Sequence, residues 1–121
     1  FDSRGYSLKP ARSMLGMKLD MWGAAIVASA IIALPQFKPT LNLSTLLCLT
    51  DNRVNGDASL PVSVWESMRG KTVEVNNTDA EGRVVIADGL TYAVRKLNAT
   101  RLIDVGSLTG GILCAVGTTY T

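Results

Sequence analysis

The chain has 121 residues, is 47% hydrophobic, carries a net charge of +2 and contains no histidine. That length and apolar fraction suit one domain with a core, while Lys and Arg that never cluster argue against a nucleic-acid surface or an anionic-membrane contact. The lack of histidine argues against imidazole-based zinc sites.

In chain order, Asp2 reads as the end of a strand whose body lies upstream. The chain opens on Phe1 with neither an initiator methionine nor a signal-peptide pattern, so the span is expected to be a piece of a longer chain. An irregular segment from Arg4 to Leu19 delivers Lys9 and Asp20. Met21 to Leu34, apolar apart from Ser29 and closed by Pro35, predicts a buried helix, and its fourteen residues fall short of the roughly 20 that a bilayer requires. Leu41 to Leu49 predicts a central strand, and Asp51 to Pro61, rich in Asn, Asp and Gly, a solvated loop. Lys71 to Val75 reads as a short alternating strand. Val84, Val85, Ala87, Leu90, Ala93, Val94 and Leu97 form one broad stripe of a helix running from Val84 to Leu97. Strand Leu102 to Val105 and a Ser-Leu-Thr-Gly-Gly turn follow. This alternation predicts an α/β sheet protein without repeats or linkers. Cys48 and Cys114 lie in apolar runs without Cys-x-x-Cys or disulfide spacing, so both read as buried reduced thiols, which fits a reducing compartment. Asp57 and Glu66 read as solvated loop and helix-end acids.

The segment Asn76-Asn77-Thr78-Asp79-Ala80-Glu81-Gly82-Arg83 holds two carboxylates, amides and a guanidinium, with no aliphatic side chain larger than alanine. Asp79 and Glu81 sit two apart, a spacing that lets both carboxylates aim at one point in an extended or turning chain. Carboxylates so close repel, and a divalent cation removes the conflict; an all-oxygen donor set suits Mg, Mn or Zn. Arg83 can hold an anion beside the cation. The residues alone describe equally well a polar turn with a solvent-facing ion pair.

Asn77 to Arg83 also resembles the signature of the leucyl aminopeptidase, or cytosol aminopeptidase, family of hexameric two-metal exopeptidases. Phe1-Asp2-Ser3 with Gly5 and Lys9-Pro10, Met17-Lys18 with Asp20-Met21, and Leu108-Thr109-Gly110 are similar to further family segments in the same order. The separations of eighteen and seventy-seven residues from Asp2 to Asp20 and to Asp79 match as well. The resemblance implies that residues 1–121 are the central segment of a dimetal catalytic domain, a three-layer α/β sandwich around a mixed sheet of the zinc-exopeptidase kind. It implies two divalent ions, Zn or Mn, with Asp2 and Glu81 bridging, Asp20 on the tighter ion and Asp79 on the exchangeable one. It further implies a metal-binding lysine ahead of Phe1.

The reaction implied is removal of leucine and other apolar N-terminal residues from peptides by a water that bridges the metals. Lys9 would stabilise the oxyanion, and Arg83 would hold a bicarbonate acting as general base. Met17 and Ser107 would line the pocket for the first side chain, with the Leu108 carbonyl receiving the amine. The implied protein is a cytoplasmic or organellar homo-hexamer that acts on peptides and binds neither nucleic acid nor membrane. Three positions depart from the family pattern. Arg4 and Trp22 stand where glycines are expected beside metal ligands, and Leu60-Pro61-Val62-Ser63 replaces an Arg-Pro-Gly-Asp segment. Arg4 is expected to strain the turn holding Asp2 or to weaken metal binding, and Trp22 to fill space that substrate uses. The alternative function is therefore an inactive paralogue with a structural or scaffold role.

Overall fold

The computed structural model describes residues 1–120. The longest element is helix α3 (Glu81–Leu97), preceded by α1 (Ala11–Met14) and α2 (Trp22–Ala33) and followed by α4 (Gly111–Val116). Strands β1 (Ser63–Glu66) and β2 (Thr72–Val75) form an antiparallel hairpin in which Ser63 faces Val75 and Glu66 faces Thr72. Short 3-10 turns cover Met17–Leu19, Leu34–Phe37 and Thr78–Ala80.

Helix α3 begins three residues earlier than its apolar stripe predicts, because Glu81 continues directly from the 3-10 turn. It ends at Asn98, whose φ of 53° closes the helix in the left-handed region. Its apolar residues serve two surfaces, which explains the breadth of the stripe. Val84 and Val85 face the hairpin and the loop after Thr50, whereas Ile86, Leu90, Ala93 and Leu97 line a large open cleft. The hairpin is tied to α3 by polar bonds: Met68 N donates to Asp88 Oδ1 at 2.8 Å, and Arg95 donates to the Met68 carbonyl at 2.6 Å. Glu66, expected at a helix end, lies instead in β1, because the Ser67–Gly70 turn folds this stretch onto Thr72–Val75.

Neither Leu41–Leu49 nor Leu102–Val105 is a strand. Both are apolar stretches of cleft wall, but a ladder needs a neighbour, and no segment among the described residues pairs with either. Outside the hairpin, the one bridge described is parallel and joins Asp2 to Asn52. The secondary structure is therefore mixed helix and strand, with a single two-stranded sheet.

The expected buried helix forms, but of its residues only Gly23 is buried, while Ile26 and Ile32 are exposed. Nothing among the described residues covers its outer faces. At Gly23 a β-carbon would lie 2.5 Å from the Val105 carbonyl oxygen, so the helix start docks through bare backbone. Within the 27-residue run Ala11–Phe37, an 18-residue window reaches a mean hydropathy of 1.6. Its continuous α-helix is only twelve residues, or about 18 Å at 1.5 Å per residue, well under a hydrocarbon core of about 30 Å. Cys114 is exposed, contrary to expectation, because no element among the described residues packs extensively over α4; Cys48 is half-buried against Gly89 of α3.

The total surface is 9371 Å², against about 6300 Å² for a compact monomer of this mass. Val75 and Ala93 are the buried apolar side chains, and the cleft and α2 present their aliphatic faces openly. The expectation that this span leaves apolar surface uncovered therefore holds.

Two of the three expected glycine positions keep a glycine-like backbone despite their side chains. Arg4 has a φ of 75° and Val62 a φ of 62°. For a β-branched residue this is a genuine outlier, costing about 1–3 kcal/mol. Val62 is 70% exposed, so its side chain gains little in return. Val62→Gly should therefore stabilise the intact protein by about 1 kcal/mol in a denaturant titration, through a higher midpoint at constant slope. An unchanged or lower midpoint would show that the strain is absent in solution.

Candidate metal centre

The acidic motif is shaped locally. Asn77 accepts a bond from Asp79 N at 3.0 Å, starting the 3-10 turn that runs straight into α3 and places Asp79 and Glu81 at the helix N-terminus. There the helix dipole favours negative charge. Gly82 permits close approach from the other side of the cleft: a β-carbon on it would lie 2.8 Å from Leu108 Cδ2.

Asp2 joins them from seventy-seven residues away. Carboxylate oxygens of Asp2, Asp79 and Glu81 all lie within 4.8 Å of one another, and all three side chains are half-buried. Lys9 Nζ sits between two of them, 2.6 Å from Asp79 Oδ1 and 3.0 Å from Asp2 Oδ2. Arg4 Nε lies 2.9 Å from Asp79 Oδ2, close enough for a charge contact although its N–H is not aligned as a hydrogen bond. Glu81 Oε2 is buried and has no hydrogen-bond partner among the described residues.

These surroundings set the charges. Burial, reinforced by the neighbouring Asp2 and Asp79 carboxylates, pushes the Glu81 carboxyl above its ordinary value. Asp79 goes the other way: burial opposes its charge, but Lys9 and Arg4 outweigh that and hold its carboxyl low. For Lys9, burial favours the neutral amine, yet its bonds to Asp79 and Asp2 prevail and raise it.

A residue that sequence reasoning left in a solvated loop organises the site. Asn52 Nδ2 donates to Asp2 Oδ1 at 3.1 Å and to the Thr78 carbonyl at 2.7 Å, and its own carbonyl accepts from Ser3 N and Ser3 Oγ. With Arg4 N donating to the same Asp2 oxygen at 2.7 Å, Asp2 Oδ1 is fully engaged and Oδ2 turns toward the cluster. Thr78, 2% exposed, completes the framework. Its hydroxyl donates to the Arg4 carbonyl and accepts from Ser7 N. In a segment of Asn, Asp and Gly, Asn52 looks like any turn residue, so no local signal sets it apart.

The remaining expected residues share the cleft without joining the cluster. Asp20 stands outside the carboxylate trio and accepts a bond from Ser107 Oγ at 2.7 Å. Met17, Ser107, Leu108 and Arg83 line the same cleft, an open space of about 1440 Å³. Arg83 is exposed and forms no ion pair among the described residues. Trp22, at the first position of α2, is 67% exposed. It is not among the residues lining the cleft.

The donor set suits a hard divalent cation. It is all oxygen, three acids meet at one point, and one buried oxygen lacks any partner. A mixed helix-and-strand scaffold with such a cluster at a helix N-terminus defines a candidate carboxylate metal-binding centre. The chain is a member of the cytosol aminopeptidase family, whose catalytic domain it matches over residues 1–121. That family consists of metal-dependent aminopeptidases.

The chain is 65% identical over its full length to a probable cytosol aminopeptidase of Metamycoplasma salivarium, of which it covers 23%. Among solved structures it is similar to the leucine aminopeptidase of Caenorhabditis elegans, with 40% identity and a TM-score of 0.92, covering 97% of this chain and 24% of that one. The bottromycin maturation enzyme BotP, solved in complex with Mn, shares 34% identity at a TM-score of 0.75, over 98% of this chain and 26% of its own. The chain thus spans about a quarter of the length of the relatives it matches.

Proposed function

We propose that this chain is the central segment of the catalytic domain of a dimetal aminopeptidase that removes leucine and other apolar N-terminal residues from peptides. The observation that carries the reading is the convergence of Asp2, Asp79 and Glu81 around an unpartnered buried oxygen. Asp2, Asp79 and Glu81 would hold the ions, with Asp20, which lines the same cleft, as a further ligand. When bound there, two divalent cations, Zn or Mn, would supply Lewis acidity toward the scissile carbonyl and would lower the pKa of a bound water. A relative solved with Mn supports this choice.

The chain's own groups do the rest. The Lys9 ammonium, 11% exposed, would meet negative charge developing on the carbonyl oxygen. Arg83, at the cleft with no acidic partner, would retain a bicarbonate that takes up the proton. Met17 and Ser107 would shape the pocket for the first side chain, and the Leu108 carbonyl would accept from the substrate's free amine, restricting cleavage to chain ends. The uncovered aliphatic faces of α2 and of the cleft support a three-layer sandwich as the architecture of the intact domain. Assembly as a cytoplasmic homo-hexamer belongs to the same reading, as do peptides, rather than nucleic acid or membrane, as partners.

One observation favours a second reading, an inactive paralogue with a scaffold role: a guanidinium rests on Asp79. Elemental analysis of the intact protein, with hydrolysis of a leucine anilide in added Mn or Zn, separates the two. Two bound ions with turnover are expected. A folded protein with neither ions nor turnover would instead select the scaffold.

A further inference from the structure

Resting on the metal-centre reading, we propose that Arg4 is a resident competitor for the cation at Asp79, so that an ion loads there only when the guanidinium withdraws. Both Asp79 oxygens already face cations, Oδ1 the Lys9 ammonium and Oδ2 the Arg4 guanidinium. A divalent ion and a guanidinium cannot share one oxygen closely, because they compete for its lone pairs and repel each other. Arg4 is held in place at its root. Its N–H donates to Asp2 Oδ1, its carbonyl accepts from Thr78 Oγ1, and its φ of 75° turns the side chain into the cluster. The side chain is still 36% exposed, so it has a route into solvent. Glu81, in contrast, offers an oxygen that no cation occupies. The Lys9 ammonium faces both ion positions, but the two are unequal toward Arg4: the one served by Glu81 and Asp2 loads without moving the guanidinium, and the one served by Asp79 loads against it.

Mn titration of the intact protein against a chelating fluorescent indicator tests this, comparing wild type with Arg4→Gly, Arg4→Gln and Arg4→Lys. Gly accepts the backbone conformation, Gln removes the charge while keeping the strain, and Lys keeps the charge. The expected result is that Gly and Gln tighten the weaker Mn site about 10- to 100-fold, or reveal a second ion, while Lys stays near wild type. Equal affinities in all four proteins would overturn the role of Arg4 and leave the metal centre standing. Tightening in Gly without Gln would assign the effect to the backbone and likewise overturn it. If none of the four binds Mn, the metal-centre reading fails together with the proposal.

Discussion

Replacing Lys9 with methionine in the intact, Mn-loaded protein should lower kcat for an N-terminal leucyl substrate by about 100- to 1000-fold, the loss of about 2.7–4 kcal/mol that follows removal of one oxyanion donor. KM should change little, since an interaction made only in the transition state is lost from kcat and kcat/KM alike. The competing explanation is electrostatic support, because the ammonium lies within 3.0 Å of both Asp2 and Asp79. If support were its only task, the variant would bind Mn differently and regain full kcat once saturated. Recovery of wild-type kcat at high Mn would therefore remove Lys9 from the reacting atoms. The ammonium is charged throughout the working range: its pKa is raised above 10.5, so its stabilising pairs persist below that value and are lost as pH climbs through the folded one.

Glu81→Gln should change sign with the metal. In chelator the variant is expected to melt higher than wild type at neutral pH, because it removes a half-buried carboxyl opposed by Asp2 and Asp79. The folded pKa of Glu81 is raised, so the unfolded chain releases this proton first. Its contribution to stability is present in acid and is lost as pH rises through the folded value. With Mn at a hundredfold excess over Kd, wild type should gain about 2.7 kcal/mol from binding, and the variant little of that. Thermal melts at pH 5 and pH 7.5, with and without Mn, check both signs. A variant that melts below wild type in chelator and still responds fully to Mn would take Glu81 out of the site. Asp79 provides the opposite dependence. Its lowered carboxyl contributes stability above 3.8 that disappears as pH falls through the folded value.

What was legible in the sequence follows the range of the interactions. Asp79 and Glu81 sit two apart at the start of α3, and the helix repeats its apolar residues at 3.6, so local spacing sufficed for both. Asp2 and Lys9 were reached through family spacing alone, since nothing local distinguishes a lysine that pairs with carboxylates from one in solvent. Asn52 was missed because its two side-chain bonds reach partners fifty and twenty-six positions away. The hairpin strand Ser63–Glu66 is only four residues long and follows a proline, too short for alternation to register. The apolar runs at Leu41–Leu49 and Leu102–Val105 were visible as apolar, but a ladder depends on a neighbour that sequence does not supply. Arg4 illustrates the converse: its position beside Asp2 suggested a cation near the metals, and its contact with Asp79 gives that suggestion a geometry.

The hydroxyl of Thr78 fastens Arg4 and Ser7, 74 and 71 positions away, to the turn that leads into α3, and Asn52 is knotted into the same point. Such a clasp cannot close until every one of these stretches has been synthesised and brought together, because its enthalpy arrives only after the whole loop-closure entropy has been met. If the cluster holds metal as proposed, ion capture during biogenesis would be a late event: a nascent chain would offer its acids singly, each too weak a ligand to scavenge metal, and the cage would become competent only with the completed architecture.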